Sequence, residues 1–293
     1  MLVCPGSNSR DLSRTLARSL HAGILSTNIG TFPDGEVYIR VEDFERVKNE
    51  KIIVVQSLYA PQERNLFTLL NMVSTLYDLG AEEVWAVVPY LCYSRADRAV
   101  LKGEAVSAKT VLKLLQSVDI KHLFVIDVHN EAIFDFSSIK SHNVFPSKDF
   151  ARYLYDNGAK PDIIVAPDKG AKKRAELLAH EFGIPSTNML KHRDPYTGKT
   201  TTRINKLDGE YKEAVLVDDI VSTGGSLVEA AKLLRVNGVE KVHVVVSHVV
   251  GQSAYQRLRT AVNGIIAGTT SIPSPISTID ITTSLSDAIR AVQ

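Results

Sequence analysis

The 293-residue sequence predicts an α/β protein with two mainly parallel sheets, each flanked by helices. Three observations carry that prediction. Short runs rich in Val and Ile alternate with longer segments of helical period, the rhythm of strands joined by crossover helices. The runs are continuously apolar, as in strands buried on both faces, whereas a half-exposed strand would alternate. The rhythm occurs twice, with three strand–helix units before about residue 142 and three after it.

Taken in chain order, strands are expected at residues 52–55, 84–88 and 123–128, then at 162–166, 214–217 and 242–247. A helix over 62–79 follows the first strand. Leu66, Leu69, Leu70, Val73, Leu76 and Tyr77 recur at helical spacing there, and Gly80 supplies the stop. Further helices are expected over 107–118, 148–157, 171–182 and 225–237, with a short capped helix at 284–292. Residues 137–146 show no apolar period, so the domain boundary is set at 142/143.

Composition narrows the function class. Hydrophobic residues make up 44% of the chain, which excludes disorder. The 34 Lys and Arg against 33 Asp and Glu leave a net charge of +1, without the basic bias of nonspecific nucleic-acid binding. Nucleic acid is therefore not expected as a partner. No run approaches the ~20 apolar residues that span a bilayer, and the first residues lack a signal-peptide pattern. The expectation is a cytoplasmic protein with no membrane partner. Cys4 and Cys92 have neither the number nor the spacing of a disulfide framework or zinc site, and no chemistry is assigned to them.

The sharpest local signal runs from Val215 to Leu227, an apolar strand ending in Asp218 and Asp219, then a small-residue loop opening into a helix. Ser222, Thr223, Gly224, Gly225 and Ser226 at a helix N-terminus offer backbone N–H groups, hydroxyls and the positive end of the helix dipole, which together cradle a phosphate. Two acids would repel a phosphate. They suit sugar hydroxyls, either accepting hydrogen bonds directly or acting through hydrated Mg²⁺. Phosphate and polyol together describe a sugar phosphate. A simple helix cap needs one such residue, not two acids and five small residues in succession. No GxxxxGK[ST] or strand-borne GxGxxG occurs, which argues against a P-loop NTPase or a Rossmann dehydrogenase.

This loop resembles the phosphoribosyl-diphosphate loop of type I phosphoribosyltransferase folds. Five further segments, in order, narrow the resemblance to the ribose-phosphate diphosphokinase family: Gly6-Ser7-Asn8-Ser9, Phe32-Pro33-Asp34-Gly35-Glu36, Tyr93 to Arg98, Asp127-Val128-His129 and Ala166 to Gly170. The resemblance implies two tandem type I phosphoribosyltransferase-like domains. Residues 1–142, joined by the C-terminal helix 284–293, would form the ATP side, and residues 143–283 the ribose 5-phosphate side. It implies transfer of the β,γ-diphosphate of ATP to the anomeric hydroxyl of ribose 5-phosphate with Mg²⁺, in support of nucleotide biosynthesis.

Residue by residue, the resemblance assigns Phe32, Asp34, Glu36, Arg95 and His129 to ATP, with His129 and Asp168 also contacting the metal. Asp168, Asp218, Asp219 and 222–226 are assigned to ribose 5-phosphate. Alone, a strand-end His is as readily a structural hydrogen-bonding residue, and Phe32 could pack into the core behind a Pro-Asp-Gly turn. Residues 191–200 read as an exposed polar loop, and the resemblance makes Lys191 and Arg193 the catalytic cations of a closing lid. It further implies a homodimer or higher oligomer, with the Phe32 loop reaching a neighbouring subunit. Two other classes fit parts of the sequence. A phosphoribosyltransferase shares the 218–226 loop but needs neither the paired domain nor Phe32, Glu36 and Arg95. A non-catalytic regulatory relative would be favoured by loss of the lid cations or acceptor acids, all of which are present.

Overall fold

The apolar runs of each half become buried strands. A computed structural model describes residues 1–193, 200–204, 209–251 and 253–293, with the backbone alone for 191–193 and 200–202. The chain divides into two compact units, Met1–Val144 with Thr282–Gln293, and Phe145–Ile281.

The first unit contains β1 (Leu2–Pro5), α1 (Arg10–Ser19), β2 (Gly23–Ile24), β3 (Thr27–Thr31), β4 (Val37–Val41), β5 (Lys51–Val55), α2 (Gln62–Asp78), β6 (Glu83–Val88), α3 (Ser107–Ser117), β7 (His122–Ile126) and β8 (Lys140–Val144). A six-stranded parallel sheet runs in the order β2-β1-β5-β6-β7-β8, and β3 and β4 pair separately as an antiparallel hairpin. Alternate strand residues serve opposite faces. Leu123 and Val125 of β7 thus join Leu69, Val73, Leu112 and Leu115 from α2 and α3 in one core cluster. The 137–146 segment is not without regular structure. β8 occupies it as an edge strand whose Lys-Ser-His-Asn-Val sequence needs no apolar period, because only Val144 is buried.

A stack of aromatic rings lies across β6, β7 and β8. The Trp85 and His122 centroids are 4.5 Å apart, Phe124 and His142 are 4.6 Å apart, and His122 Nδ1 lies 3.0 Å from His142 Nε2. Burial, then the neighbouring His142 charge, lowers the His122 pKa; burial, then Lys140, lowers that of His142. His243 is also lowered, mainly by burial, against the opposing pull of Glu213. A base held neutral in the folded state is protonated first in the unfolded one. Stability is therefore greatest above the ordinary imidazole value of 6.5 and is lost as pH falls below it. We expect Tm to drop between about pH 7 and about pH 5.5, less so in His142→Asn. A melting temperature flat across that window would refute the assignment.

The second unit contains α4 (Ser147–Asp156), β9 (Ile163–Ala166), α5 (Lys172–Phe182), β10 (Ser186–Arg193), β11 (Thr200–Ile204), β12 (Glu213–Val221), α6 (Gly225–Val236), β13 (Lys241–Val249), α7 (Ala254–Leu258), β14 (Ile266–Thr269) and β15 (Ser277–Ile279). Its seven-stranded sheet runs β11-β10-β9-β12-β13-β14-β15, parallel except for the β10–β11 pair. One face packs Leu216 and Val244 against Leu227 and Leu234 of α6; the other packs Ile164, Val215 and Val245 against Phe150 and Leu178 of α4 and α5. The last helix, α8 (Thr282–Arg290), belongs to the first unit, where it packs on α1, β7 and β8. No helix among the described residues is long and apolar enough to cross a membrane.

Candidate active site

In the second sheet β9 has β10 on one side and β12 on the other, so the chain reverses its direction of winding between β9 and β12. Open parallel sheets bind ligands at the carboxyl ends of strands at such a reversal. Asp168 lies two residues past the end of β9, at the head of a short turn, and its Oδ1 accepts from the Gly170 amide at 2.9 Å.

Asp218 and Asp219 were expected to end their strand, but β12 continues through both to Val221, with Asp218 opposite Val246 and Ile220 opposite His248. The long neighbour β13 supplies backbone pairing that far. The acids therefore have the rigidity of a central strand, not the freedom of a turn. Asp219 is buried, and its Oδ2 lies 3.8 Å from the Arg174 guanidinium of α5. Burial, followed by the charges of Asp219 and Asp168, pushes the Asp218 carboxyl well above the ordinary carboxylate range. Three carboxylates crowded at one edge call for a cation or hydroxyl donors.

Beyond Val221, residues Ser222 to Gly224 turn into α6, and Gly224 caps the helix with φ at 75°, a left-handed conformation that favours glycine. Among the described residues, the amides of Ser222, Thr223 and Gly224 make no hydrogen bond. They are available at the positive end of α6.

Lys191 and Arg193 were expected in a loop, but their backbone belongs to β10. Asn188 is level with Ala166, the last residue of β9, and beyond it β10 leaves the parallel pairing and continues against β11, with Lys191 opposite Thr202 and Arg193 opposite Thr200. Backbone pairing between the arms outweighs the polar sequence. At ~3.3 Å per residue the chain at Lys191 is about 10 Å past the end of β9. Residues 194–199, the rest of the expected loop, lie outside the described residues.

The first unit also has a reversal of winding, between β1 and β5, but its own side chains fill it. Asn8 Nδ2 donates to the Ser57 carbonyl at 2.9 Å, Asn8 Oδ1 accepts from the Ser57 amide at 3.2 Å, and Gln56 Oε1 accepts from the Ser7 amide at 2.8 Å. The Gly6 to Ser9 motif is thus consumed internally.

His129 was expected at a strand end, yet β7 stops at Ile126, where β8 pairing ends, and His129 is exposed three residues on. Asn130 Nδ2 donates to Asp97 Oδ2 at 2.7 Å, tying the His129 turn to the one that carries exposed Arg95. Phe32 is 47% exposed at the tip of the β3–β4 hairpin, which removes the alternative that packs it into the core; its ring meets Tyr38 edge-on at 5.5 Å. Asp34 Oδ1 accepts from the Glu36 amide at 3.1 Å, so one of its oxygens shapes the turn. Arg64 of α2 fastens the hairpin by donating to the Gly30 and Gly35 carbonyls and to Thr31.

The chain resembles known proteins over its full length. Residues 1–118 match the N-terminal domain of ribose phosphate pyrophosphokinase and residues 142–273 match the phosphoribosyl transferase domain. A ribose-phosphate pyrophosphokinase of Pyrococcus furiosus is 38% identical over 282 residues, 96% of this chain and 97% of that one. The chain belongs to the ribose-phosphate pyrophosphokinase family. A second relative of that name, from Sulfolobus acidocaldarius, is 35% identical over 294 residues, 99% of this chain and 100% of that one. The crystal structure of phosphoribosylpyrophosphate synthetase from Mycobacterium smegmatis superposes with a TM-score of 0.83 at 26% identity, covering 99% and 98% of the two chains.

A pyrophosphokinase of this family calls for a divalent metal, and the acids of the second unit fit one. Asp168, Asp218 and Asp219 offer hard oxygen donors of the kind Mg²⁺ prefers, and their mutual repulsion would be relieved by it. Among the described residues no three His, Cys, Asp or Glu side chains are grouped closely enough to hold a metal ion by themselves. Sequence reasoning missed Arg174, which sits in a Lys-Lys-Arg run indistinguishable from a solvated helix face. Both cysteines are buried, and burial pushes each thiol up to about 12, leaving them protonated.

Proposed function

We propose that the protein transfers the β,γ-diphosphate of ATP to the anomeric hydroxyl of ribose 5-phosphate, yielding 5-phosphoribosyl 1-diphosphate and AMP for nucleotide biosynthesis. The observation that carries this reading is the order of groups on β12 and its loop: two carboxylates, then three amides at a helix N-terminus that make no hydrogen bond among the described residues. That order suits a sugar bearing a phosphate. In this assignment the phosphate lies on residues 222–226 and the ring hydroxyls on Asp218 and Asp219.

On the first unit, Arg95 and His129 take the ATP phosphates, while Phe32, Asp34 and Glu36 take the nucleoside. His129 in the first unit and Asp168 in the second are each assigned as a ligand of Mg²⁺, which when bound would neutralise phosphate charge during transfer. Lys191 and Arg193 stabilise the charge that builds on the transferring group, since phosphoryl-type transfer depends on positioning and electrostatics and not on a covalent nucleophile. The exposed hairpin tip suits contact with a second copy of the chain, so the active form is a homodimer or higher oligomer in the cytoplasm.

The deciding experiment follows AMP release from ATP with and without ribose 5-phosphate, and the product by phosphorus NMR. Ribose-dependent AMP with a C1-linked diphosphate, abolished by EDTA, is the expected result. No AMP from a folded protein that still binds ribose 5-phosphate would favour the regulatory relative. Within the scheme, Ser222→Asp puts a carboxylate into the phosphate cradle and should raise the KM for ribose 5-phosphate about tenfold or more. An effect on the KM for ATP alone would contradict the loop assignment.

A further inference from the structure

An anion site made of backbone needs its amides presented and its carbonyls turned away, because the two dipoles act on a phosphate with opposite sign. In the 221–224 turn the carbonyls are engaged from behind. The Val221 carbonyl accepts from the Val250 amide at 2.9 Å and the Gly251 amide at 3.3 Å, and the Gly224 carbonyl accepts from Val228 of α6 at 2.9 Å. The Thr223 carbonyl accepts from Arg257 Nη1 of α7 at 3.5 Å. The Ser222 carbonyl has no room to move: a Cβ at position 251 would stand 1.6 Å from its oxygen and 2.6 Å from its carbon. Gly224 is backed by the same segment, with Leu258 Cγ and the Ala254 carbonyl 3.5 and 3.6 Å from where its Cβ would be.

We infer that residues 250–251 and 253–258 form a buttress that makes the loop an anion site, with Gly251 as its positioning residue. The buttress holds the Val221, Ser222 and Thr223 carbonyls on the far side, α6 takes that of Gly224, and the Ser222, Thr223 and Gly224 amides are left facing outward for the phosphate. Gly251 does not touch substrate. Its lack of a side chain lets β13's continuation lie flat against Ser222, so that any larger residue must push the loop forward and rotate its amides. The inference rests on the assignment of the ribose phosphate to this loop.

The test is Gly251→Ala in the full chain, with steady-state kinetics in both substrates and Ser222→Asp as a control. The expected result is a rise in KM for ribose 5-phosphate of about tenfold or more, the scale of one lost charge-assisted hydrogen bond. The KM for ATP, and kcat at saturating ribose 5-phosphate, should stay within about threefold; a general loss of folding would lower active-site concentration and kcat without moving one KM selectively. If Ser222→Asp raises that KM and Gly251→Ala does not, the buttress is overturned while the phosphate assignment stands. If neither variant moves it, the phosphate assignment itself fails. Should Gly251→Ala not fold, Arg257→Gln, which removes the donor to Thr223 from an exposed position, should raise the same KM by a smaller factor, and no change would overturn the inference.

Discussion

Replacing Lys191 by Ala is expected to lower kcat by about 10² or more, the loss typical of removing one preorganised contact to transition-state charge. The KM values for ATP and ribose 5-phosphate should change little, because the contact matters most when charge moves onto the transferring group. Backbone placement supports the choice of this residue. Lys191 lies on the arm that β10 and β11 extend beyond Asn188, at the same end of the sheet as Asp168 and the β12 acids. Lys191→Arg keeps the charge but changes its reach and donor geometry, so it should recover only part of the rate. A kcat for Lys191→Ala within a few fold of the parent would rule out the cationic role.

Phe150→Ala should cost about 3–5 kcal/mol of stability, the range for a buried aromatic truncated in a packed core. Phe150 on α4 is fully buried among Leu154, Ile164, Ala166, Ala175 and Leu178, and its ring meets Phe145 edge-on at 5.7 Å. Those neighbours come from α4, β9 and α5, the layer that positions Asp168 and Arg174. The cavity should therefore reach the site through β9 as well as lower stability. Urea unfolding of the second unit's transition would read the change, and a loss under about 1 kcal/mol would mean that the cluster collapses around the gap.

Several elements were legible because local chemistry and tertiary role agree. The runs 52–55 and 84–88 are short, rich in Val and Ile and continuously apolar, which suits strands covered on both faces, and α2 ends where Gly80 allows a positive φ. The Ser222–Ser226 loop announced itself by composition. What composition hid were elements whose pairing partner supplies the stability. β8 is polar and needs only β7 beside it; β10 and β11 hold one another; β12 runs on through two acids because β13 runs beside it.

By itself, then, the sequence determined the α/β class, the repeated rhythm, the acid-then-amide motif and the family. These follow from local patterns of burial and from residue types in a fixed order. Tertiary structure alone decided which of two similar strand reversals is open. Between β1 and β5 Asn8 and Gln56 hold the chain's own amides and carbonyls, whereas at the β9–β12 reversal the Ser222, Thr223 and Gly224 amides make no hydrogen bond among the described residues. It also decided that Gly251, some thirty residues from the loop along the chain, lies against Ser222, because β12 and β13 are neighbours in the sheet. Such contacts between distant segments depend on strand order and register, which no local pattern of residues encodes.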